Sequence, residues 1–341
     1  MRASVIVIDW HRPELTRRAL AALEAQRGRV DLELVLVVNE ARPGAAEAFA
    51  AEFPAVVVVA EARNTGFAGG VAAGAARATG DVLVLVNNDA VPDPDFVERG
   101  LARLAAEPDL AAVAGHVVLE GAFRRVDDDR STDDLVALGG AAWRRSDEGV
   151  ELVNSTGVVV DASANGVDRD WLAPAGAASA GDDPFAFSGA AVFLRRPALE
   201  SVGGFDPSLF MYYEDVDVSW RLRLAGHRVG YEPGARVVHR HAGSSSSSGQ
   251  LVRYRSMRNR LVVTARNGSG RLLARVVLRT VLRLLRDLVG VPYLDGRHRR
   301  LLVLEAVPAV VRARRAGRSA RRAAVVRPRD LERIWFGGHP D

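Results

Sequence analysis

Short apolar runs rich in β-branched residues alternate, along the first part of the chain, with alanine-rich stretches of helical period. Residues 5–8, 34–38, 56–59 and 82–86 read as strands, while residues 13–26, 44–53 and a segment opened by glycines and running to Ala78 read as helices. Near-continuously apolar strands separated by helices predict a mostly parallel sheet with helices on both faces. Ligands of such sheets sit beyond the carboxyl ends of the strands. Asp9, Asn39, Asn64 and Asp89 each follow a strand-like run. Between residues 117 and 184 the periodicity weakens and glycine, aspartate and serine accumulate, which reads as loops and short strands; Asp127-Asp128-Asp129 reads as solvated acid. Pattern returns as a strand over 187–194, a short helix after Arg195-Arg196-Pro197, a turn at Gly203-Gly204-Phe205-Asp206, a helix over 212–224 and a strand over 231–239.

Beyond residue 250 the pattern changes character. Arg271, Arg275, Arg279, Arg283 and Arg286 recur at helical spacing within about a third of the helix circumference, with Leu273, Val277, Val281, Leu284, Leu285 and Leu288 on the other side. Such a basic amphipathic helix suits an anionic membrane surface, or packing on the rest of the chain with its arginines in water. A second basic stretch, residues 312–329, is expected to be partly disordered or surface-bound. The expected organisation is a domain over 1–250, divided at about residue 115, and a helical, arginine-rich extension over 251–341.

A length of 341 residues admits one large domain with an appendage. A hydrophobic share of 48%, a charged share of 26% and a mean hydropathy of +0.01 fit a globular chain that leans slightly toward lipid. Cysteine is absent, which excludes disulfides, thiolate metal sites and cysteine nucleophiles, and every cationic side chain is arginine. No run of 18 apolar residues occurs, so no spanning helix is expected, and the first apolar run is too short for the core of a signal peptide. A cytoplasmic chain, possible as a peripheral protein on the inner face of the plasma membrane, is the expectation. The net positive charge comes without an aromatic platform or reading motif, so nucleic acid is not an expected partner.

Two acidic clusters are the candidate chemistry. Asn87-Asn88-Asp89 ends an apolar strand and reads either as oxygen ligands for a hard cation or as a turn before Pro92 and Pro94. Glu214, Asp215 and Asp217 open a helix, as a carboxylate base or as ordinary N-terminal charge preference. Arg63-Asn64-Thr65-Gly66-Phe67-Ala68-Gly69-Gly70 enters a helix and reads as an anion cradle or as a glycine loop for tight packing. It is not the GxGxxG spacing of dinucleotide folds, which argues against an oxidoreductase. His239, with His241 and the Ser244-to-Ser248 run beside it, reads as a ligand or as a core or surface histidine.

In their order, these segments resemble the family-2 glycosyltransferases of the GT-A fold, especially bacterial rhamnosyltransferase-like members, over roughly the first 260 residues. The stretch from Val5 to Pro13 resembles the family's opening strand and turn. Asn64-Thr65-Gly66-Phe67-Ala68-Gly69-Gly70 is similar to its Asn-x-Gly-Phe-x-x-Gly loop, and Asn87-Asn88-Asp89 to its form of the DXD motif. Ser188-Gly189-Ala190, Gly203-Gly204-Phe205-Asp206, Glu214-Asp215-Val216-Asp217 with Trp220 and Arg221, and His239 complete the series.

The resemblance implies an α/β, Rossmann-like GT-A fold and an inverting transfer. Asp89 with His239 would hold Mg²⁺ or Mn²⁺ on a nucleotide-diphosphate sugar, a dTDP- or UDP-sugar. Asp215 would be the general base, oriented with the acceptor by Glu214 and Asp217. Asp9, Asn39, Asn64, Gly66, Phe67, Gly70, Asn87 and Asn88 would contact the donor. The implied acceptor is a cell-envelope glycan or a polyprenyl-linked one. Two positions depart from the family: Val38-Asn39-Glu40 replaces the usual Asp-Asn pair, and His11 stands where Asn is common. The first departure motivates the rival expectation of a catalytically degenerate binding protein.

Overall fold

A computed structural model describes residues 1–128, 130–137, 139–178, 183–240, 249–290 and 292–336. The first half runs β1 (Ala3–Asp9), α1 (Pro13–Glu24), β2 (Leu32–Asn39), α2 (Ala45–Glu52), β3 (Val57–Glu61), α3 (Gly66–Arg77), β4 (Val82–Val86), β5 (Ala90–Pro92), α4 (Phe96–Ala106) and β6 (Leu110–Leu119). Short strands follow: β7 (Ala122–Val126), β8 (Leu135–Val136), β9 (Ala142–Ser146), β10 (Val153–Ser155), β11 (Val158–Val160) and β12 (Gly166–Asp168). Then come β13 (Ala191–Arg195), α5 (Arg196–Ser201), α6 (Glu214–Leu224) and β14 (Arg228–His239). The remainder is helical: α7 (Gly249–Asn267), α8 (Gly270–Val289), α9 (Gly296–Ala316), α10 (Arg318–Ala323) and α11 (Pro328–Trp335).

Among the described residues the main sheet has the order β3-β2-β1-β4-β13-β6-β14-β5, with β10 also paired to β6. β1 lies parallel to β2 and β4, β2 to β3, and β6 to β14; β13 runs antiparallel between β4 and β6. The parallel pairing expected from the apolar runs is present over β3-β2-β1-β4, and the sheet as a whole is mixed, as in the fold that the resemblance implies. Strand alternation sends Val5 and Val7 to one face, against Leu20 and Leu23 of α1, Phe49 of α2 and Phe96 of α4. Ile6, Val35 and Val37 face the other side, against Val71 of α3, Leu199 of α5 and Leu222 of α6. Both faces are covered. On α3 the glycines allow close approach: a Cβ at Gly74 would lie 2.6 Å from Ile6 Cγ2, and one at Gly70 would lie 3.0 Å from Ile8 Cδ1.

Three elements of the main sheet and its cover have no counterpart in the pattern reading, β5, α4 and β6. β6 is buried along all ten residues, yet Ala111, Ala112, Ala114 and Gly115 are poor strand formers, and only burial between β13 and β14 makes this segment extended. The stretch of weak periodicity forms a three-stranded sheet, β7-β9-β8, and a β11–β12 hairpin. Residues 312–329, expected to be partly disordered or surface-bound, continue α9, form α10 and open α11. Leu261 and Val262 of α7, Leu272 of α8, Leu302 of α9 and Phe336 share one core with Trp220 and Phe185. Among the described residues no helix is long and apolar enough to cross a membrane.

Candidate active site

A cavity of about 590 Å³ opens where β1, β2 and β4 end, and its wall carries Asn39, Asn64, Gly66, Phe67, Asn87, Asn88, Asp89, Glu214, Asp215 and His239. On the β2 side the Asn39 amide is fully engaged in holding the next loop. Its Oδ1 accepts from Thr65 N at 2.9 Å and Thr65 Oγ1 at 3.0 Å, and its Nδ2 donates to Asn64 Oδ1 at 3.3 Å and the Gly66 carbonyl at 3.2 Å. Gly66 has φ +71°, and a Cβ there would stand 2.2 Å from the Phe210 carbonyl oxygen, so only glycine fits. Ala68 N donates to that same carbonyl at 3.0 Å. The loop that starts α3 is thereby tied to the segment leading into α6.

Asp89 and His239 are 150 residues apart and meet because β5 and β14 pair, with His239 opposite Ala90. His239 Nδ1 is 2.5 Å from Asn154 Oδ1, an acceptor that suits a hydrogen on that nitrogen. Nε2 faces Asp89 Oδ1 at 3.0 Å and lies 3.5 Å from Asn87 Nδ2. With a hydrogen on Nε2 the two side chains are hydrogen-bonded; without it the carboxylate oxygen and the imidazole nitrogen can ligate one cation side by side, and the Asn154 contact is the kind of outer support that fixes a metal-binding imidazole. Among the described residues no group of three or more His, Asp or Glu side chains gathers to hold a metal ion. The pair therefore fits an ion that takes its other oxygens from phosphate or water.

Across the cavity, the chain enters α6 through three non-glycine residues in the left-handed region, Phe210 at φ +66°, Tyr212 at +68° and Tyr213 at +71°. Each carries strain of about 1–2 kcal/mol. Asn259 of α7, fully buried, holds the segment: its Nδ2 lies 2.8 Å from the Leu209 carbonyl, 2.9 Å from Met211 and 2.8 Å from Tyr212. The Tyr213 hydroxyl donates to the Ala164 carbonyl and accepts from Gly166 N, both at 3.2 Å, and burial pushes its pKa up to about 12. Asp215 then accepts from Val216 N at 2.7 Å and Gly189 N at 3.4 Å.

Burial raises the pKa of Asp215 despite these backbone donors. Burial, followed by the neighbouring charges of Asp215 and Asp217, holds Glu214 well above the usual carboxylate range, and its buried Oε2 has no hydrogen-bond partner among the described residues. A protonated, neutral side chain is the state that tolerates such a position.

Three candidates stand off the cavity wall. Asp9 accepts from Thr16 Oγ1 at 2.6 Å, and Thr16 Oγ1 in turn accepts from Asn88 Nδ2 at 3.1 Å, so Asp9 touches the site only through Thr16 and Asn88. Gly70 packs on Ile8. Asp217, fully buried, binds Arg221 at 2.8 Å, Arg266 at 2.9 Å and Asn267 at 2.9 Å, joining α6 to α7. His241 and the Ser244-to-Ser248 run lie outside the described residues. The wall also holds residues that the pattern did not single out, Asp168 on β12 and Asn154 on β10. Burial foremost, with the Asp215 charge behind it, pushes Asp168 up to about 6 against the pull of a hydrogen bond from Ser155. Both lie on short strands of low periodicity, so no local signal marked them.

A strand-end pocket of this kind on a sheet of this order defines the GT-A class of fold. The mannosyltransferase PcManGT from Pyrobaculum calidifontis, solved with GDP-Man and Mn²⁺, has a TM-score of 0.50 to this chain at 17% identity, over 94% of this chain and 84% of that one. At that identity the likeness is one of fold. The chain belongs to glycosyltransferase-like family 2, whose sequence model matches residues 2–264. It is 48% identical over 58 residues to an N-acetylglucosaminyl-diphospho-decaprenol L-rhamnosyltransferase of Mycobacterium tuberculosis, covering 17% of this chain and 19% of the relative. It is 26% identical over 256 residues to the O-antigen biosynthesis protein RfbC of Myxococcus xanthus, covering 71% of this chain and 18% of that protein. The chain thus spans about a fifth of the length of these relatives.

Proposed function

We propose that this chain is an inverting, metal-dependent glycosyltransferase that moves a sugar from a nucleotide diphosphate to a cell-envelope glycan or polyprenyl-linked acceptor at the cytoplasmic membrane face. A dTDP- or UDP-sugar is the donor class, with dTDP-rhamnose first to be tested; the rhamnosyltransferase relatives support that choice. The observation that carries the reading is one cavity with the Asp89–His239 pair on one side and the buried Glu214–Asp215 pair on the other.

Asp89 and His239 are the residues that would hold Mg²⁺ or Mn²⁺, and a bound ion offsets the charge that develops on a leaving diphosphate. The rest is the chain's own work. Asn64, Gly66, Phe67, Asn87 and Asn88 line the donor side, and Asn39 acts there by shaping the Asn64–Gly66 loop. Asp215 takes the proton from the acceptor hydroxyl as that oxygen bonds to the anomeric carbon and the bond to the phosphate oxygen breaks. Attack opposite the leaving group inverts the anomeric centre. Glu214, kept protonated by burial, orients the acceptor by a hydrogen bond from its carboxyl group, and Asp217 contributes by fixing α6.

Asp215→Asn keeps the shape of the side chain and removes the base. It is expected to retain donor-induced stabilisation in a metal-containing melting assay and to lose transfer by about 100-fold or more. Wild-type turnover by this variant would remove Asp215 from the role. The engagement of Asn39 by its own loop favours one second reading, a degenerate nucleotide-sugar-binding protein. Metal-dependent hydrolysis of the donor without acceptor separates an enzyme from such a protein.

A further inference from the structure

Three exposed arginines of the α8 stripe reach back to neighbouring parts of the chain, and most of the apolar stripe faces outward, Leu273 and Leu284 apart. Arg275 Nη1 donates to the Ala162 carbonyl at 2.9 Å, Arg279 reaches Ser163 Oγ, and Arg283 pairs with Asp287 at 3.4 Å while lying over the Tyr293 ring. The helix is anchored by Leu272, Val276 and Thr280, which are buried. Val277, Leu278, Val281, Leu282, Leu285 and Leu288 remain exposed, Leu278 at 58% and Leu288 at 68%. Of the two settings suggested by the helical period, packing on the rest of the chain with only the arginines in water leaves this apolar outer face unaccounted for. A row of six large apolar side chains along one helix face is more than scattered surface hydrophobicity and marks a docking surface.

The charge distribution identifies what docks. Residues 249–336 hold 22 arginines against 5 carboxylates, whereas residues 1–248 hold 24 arginines against 36 carboxylates. The positive charge of the molecule is thus gathered around the helix that carries the apolar ridge, and Arg271 and Arg286 on α8 itself are exposed. An apolar ridge flanked by arginines is complementary to acyl chains beneath anionic headgroups. A protein partner built to match would need an apolar strip bordered by acid, whereas an anionic bilayer offers both features everywhere on its surface.

We infer that the outward face of α8 is a membrane-docking surface that seats this chain on an anionic bilayer. The helix lies in the interface plane, with Leu278, Leu282 and Leu285 among the headgroups and acyl ends and with Arg271 and Arg286 at phosphate level. The inner side of α8 stays on the 161–165 loop, next to the hairpin that carries Asp168 into the cavity. Docking therefore places the wall of the site close to lipid. This deepens the reading of a lipid-linked acceptor, yet its test needs neither donor nor acceptor.

The full chain is sedimented with phosphatidylcholine vesicles and with vesicles containing phosphatidylglycerol. Wild type is expected to bind the anionic vesicles and to be released by raised salt. The triple variant Leu278→Glu, Leu282→Glu, Leu285→Glu is expected to bind at least about 100-fold more weakly with an unchanged melting temperature, since three solvent-facing side chains leave the core intact. Arg286→Glu is expected to weaken binding to anionic vesicles alone. No vesicle binding by wild type, or equal binding by the triple variant, overturns the inference. So does a concentration-dependent dimer of wild type that the triple variant abolishes without lipid, which would assign the ridge to a second copy. A result of that kind leaves the glycosyltransferase reading untouched, and failure of sugar transfer leaves vesicle binding untouched.

Discussion

Single residues decide the two halves of the site by what stands behind them. His239 has an ordinary sequence context, and its proposed use as a ligand depends on Asn154, whose Oδ1 lies 2.5 Å from Nδ1 while Nε2 faces Asp89. Replacing Asn154 with alanine frees the ring to rotate and to change tautomer. About a tenfold or greater weakening of the Mn²⁺ dependence of donor-induced stabilisation is expected, read by titrating Mn²⁺ in a melting assay. Asp168 makes a prediction about stability. Its carboxyl group titrates near 6 in the folded chain against 3.8 for the unperturbed group. Between those values the folded state keeps a proton that the unfolded state has lost, so the group's contribution to stability declines as pH rises through that window. Asp168→Asn should therefore raise the melting temperature at pH about 7 relative to wild type by more than at pH about 4. Equal effects at both would show that the carboxyl is not held protonated.

At the level of elements, the notable partner of the segment leading to Asp215, the proposed base, is α7, a helix from outside the sheet. It contributes Asn259 to three carbonyls of the segment at 209–212, and Arg258 Nη1 donates to the Ser208 carbonyl at 3.2 Å. The left-handed residues between Phe210 and Tyr213 would relax without those bonds, and Asp215 follows directly in the chain. Asn259→Leu fills the space and removes the donors. It should lower kcat by about 10–100-fold with donor KM changed less than about threefold, a split that a merely destabilised protein would not show. Recovery of kcat in a variant that restores a donor at this position, Asn259→Gln, would support the positioning role. Unaltered kcat in Asn259→Leu would refute it.

Across the whole molecule, the helical remainder shares one apolar cluster with α6 and Phe185. Phe336, just after α11, lies 5.0 Å from the Phe185 ring and 4.9 Å from the Trp220 ring, centroid to centroid, and Arg223 lies 4.0 Å from the Trp335 ring. Trp220 and Arg223 belong to α6, the helix of Glu214 and Asp215. Phe336→Ala should remove about 3 kcal/mol from unfolding free energy in a urea titration. The organisation into 1–250 and a separate extension then becomes testable. A chain ended at residue 250 exposes Trp220, Phe185 and Leu224 and should not unfold cooperatively, whereas two-state unfolding of that piece would establish an independent domain.

Much of the first half was legible without coordinates. The strands at 5–8, 34–38 and 82–86 are runs of β-branched and leucine residues buried on both sides, where local preference and final environment agree. The residues at their ends, Asn39 and Asn87 through Asp89, consequently fell at the cavity without any long-range information. The central strand β6 was not legible, because its alanines favour helix locally and only the strands on either side make it extended. The same holds for Asp168 and Asn154, carried by three-residue strands whose pairing is tertiary, and for Asp217, whose acid among acids was taken up by Arg266 and Asn267 from α7. The α8 helix shows the division most clearly. Its period was written in the sequence, as alternation of arginine and leucine sides must be. Which part of the apolar side turns away from the rest of the chain depends on where Ala162, Ser163 and Tyr293 lie in space, and no repeat along one helix carries that information.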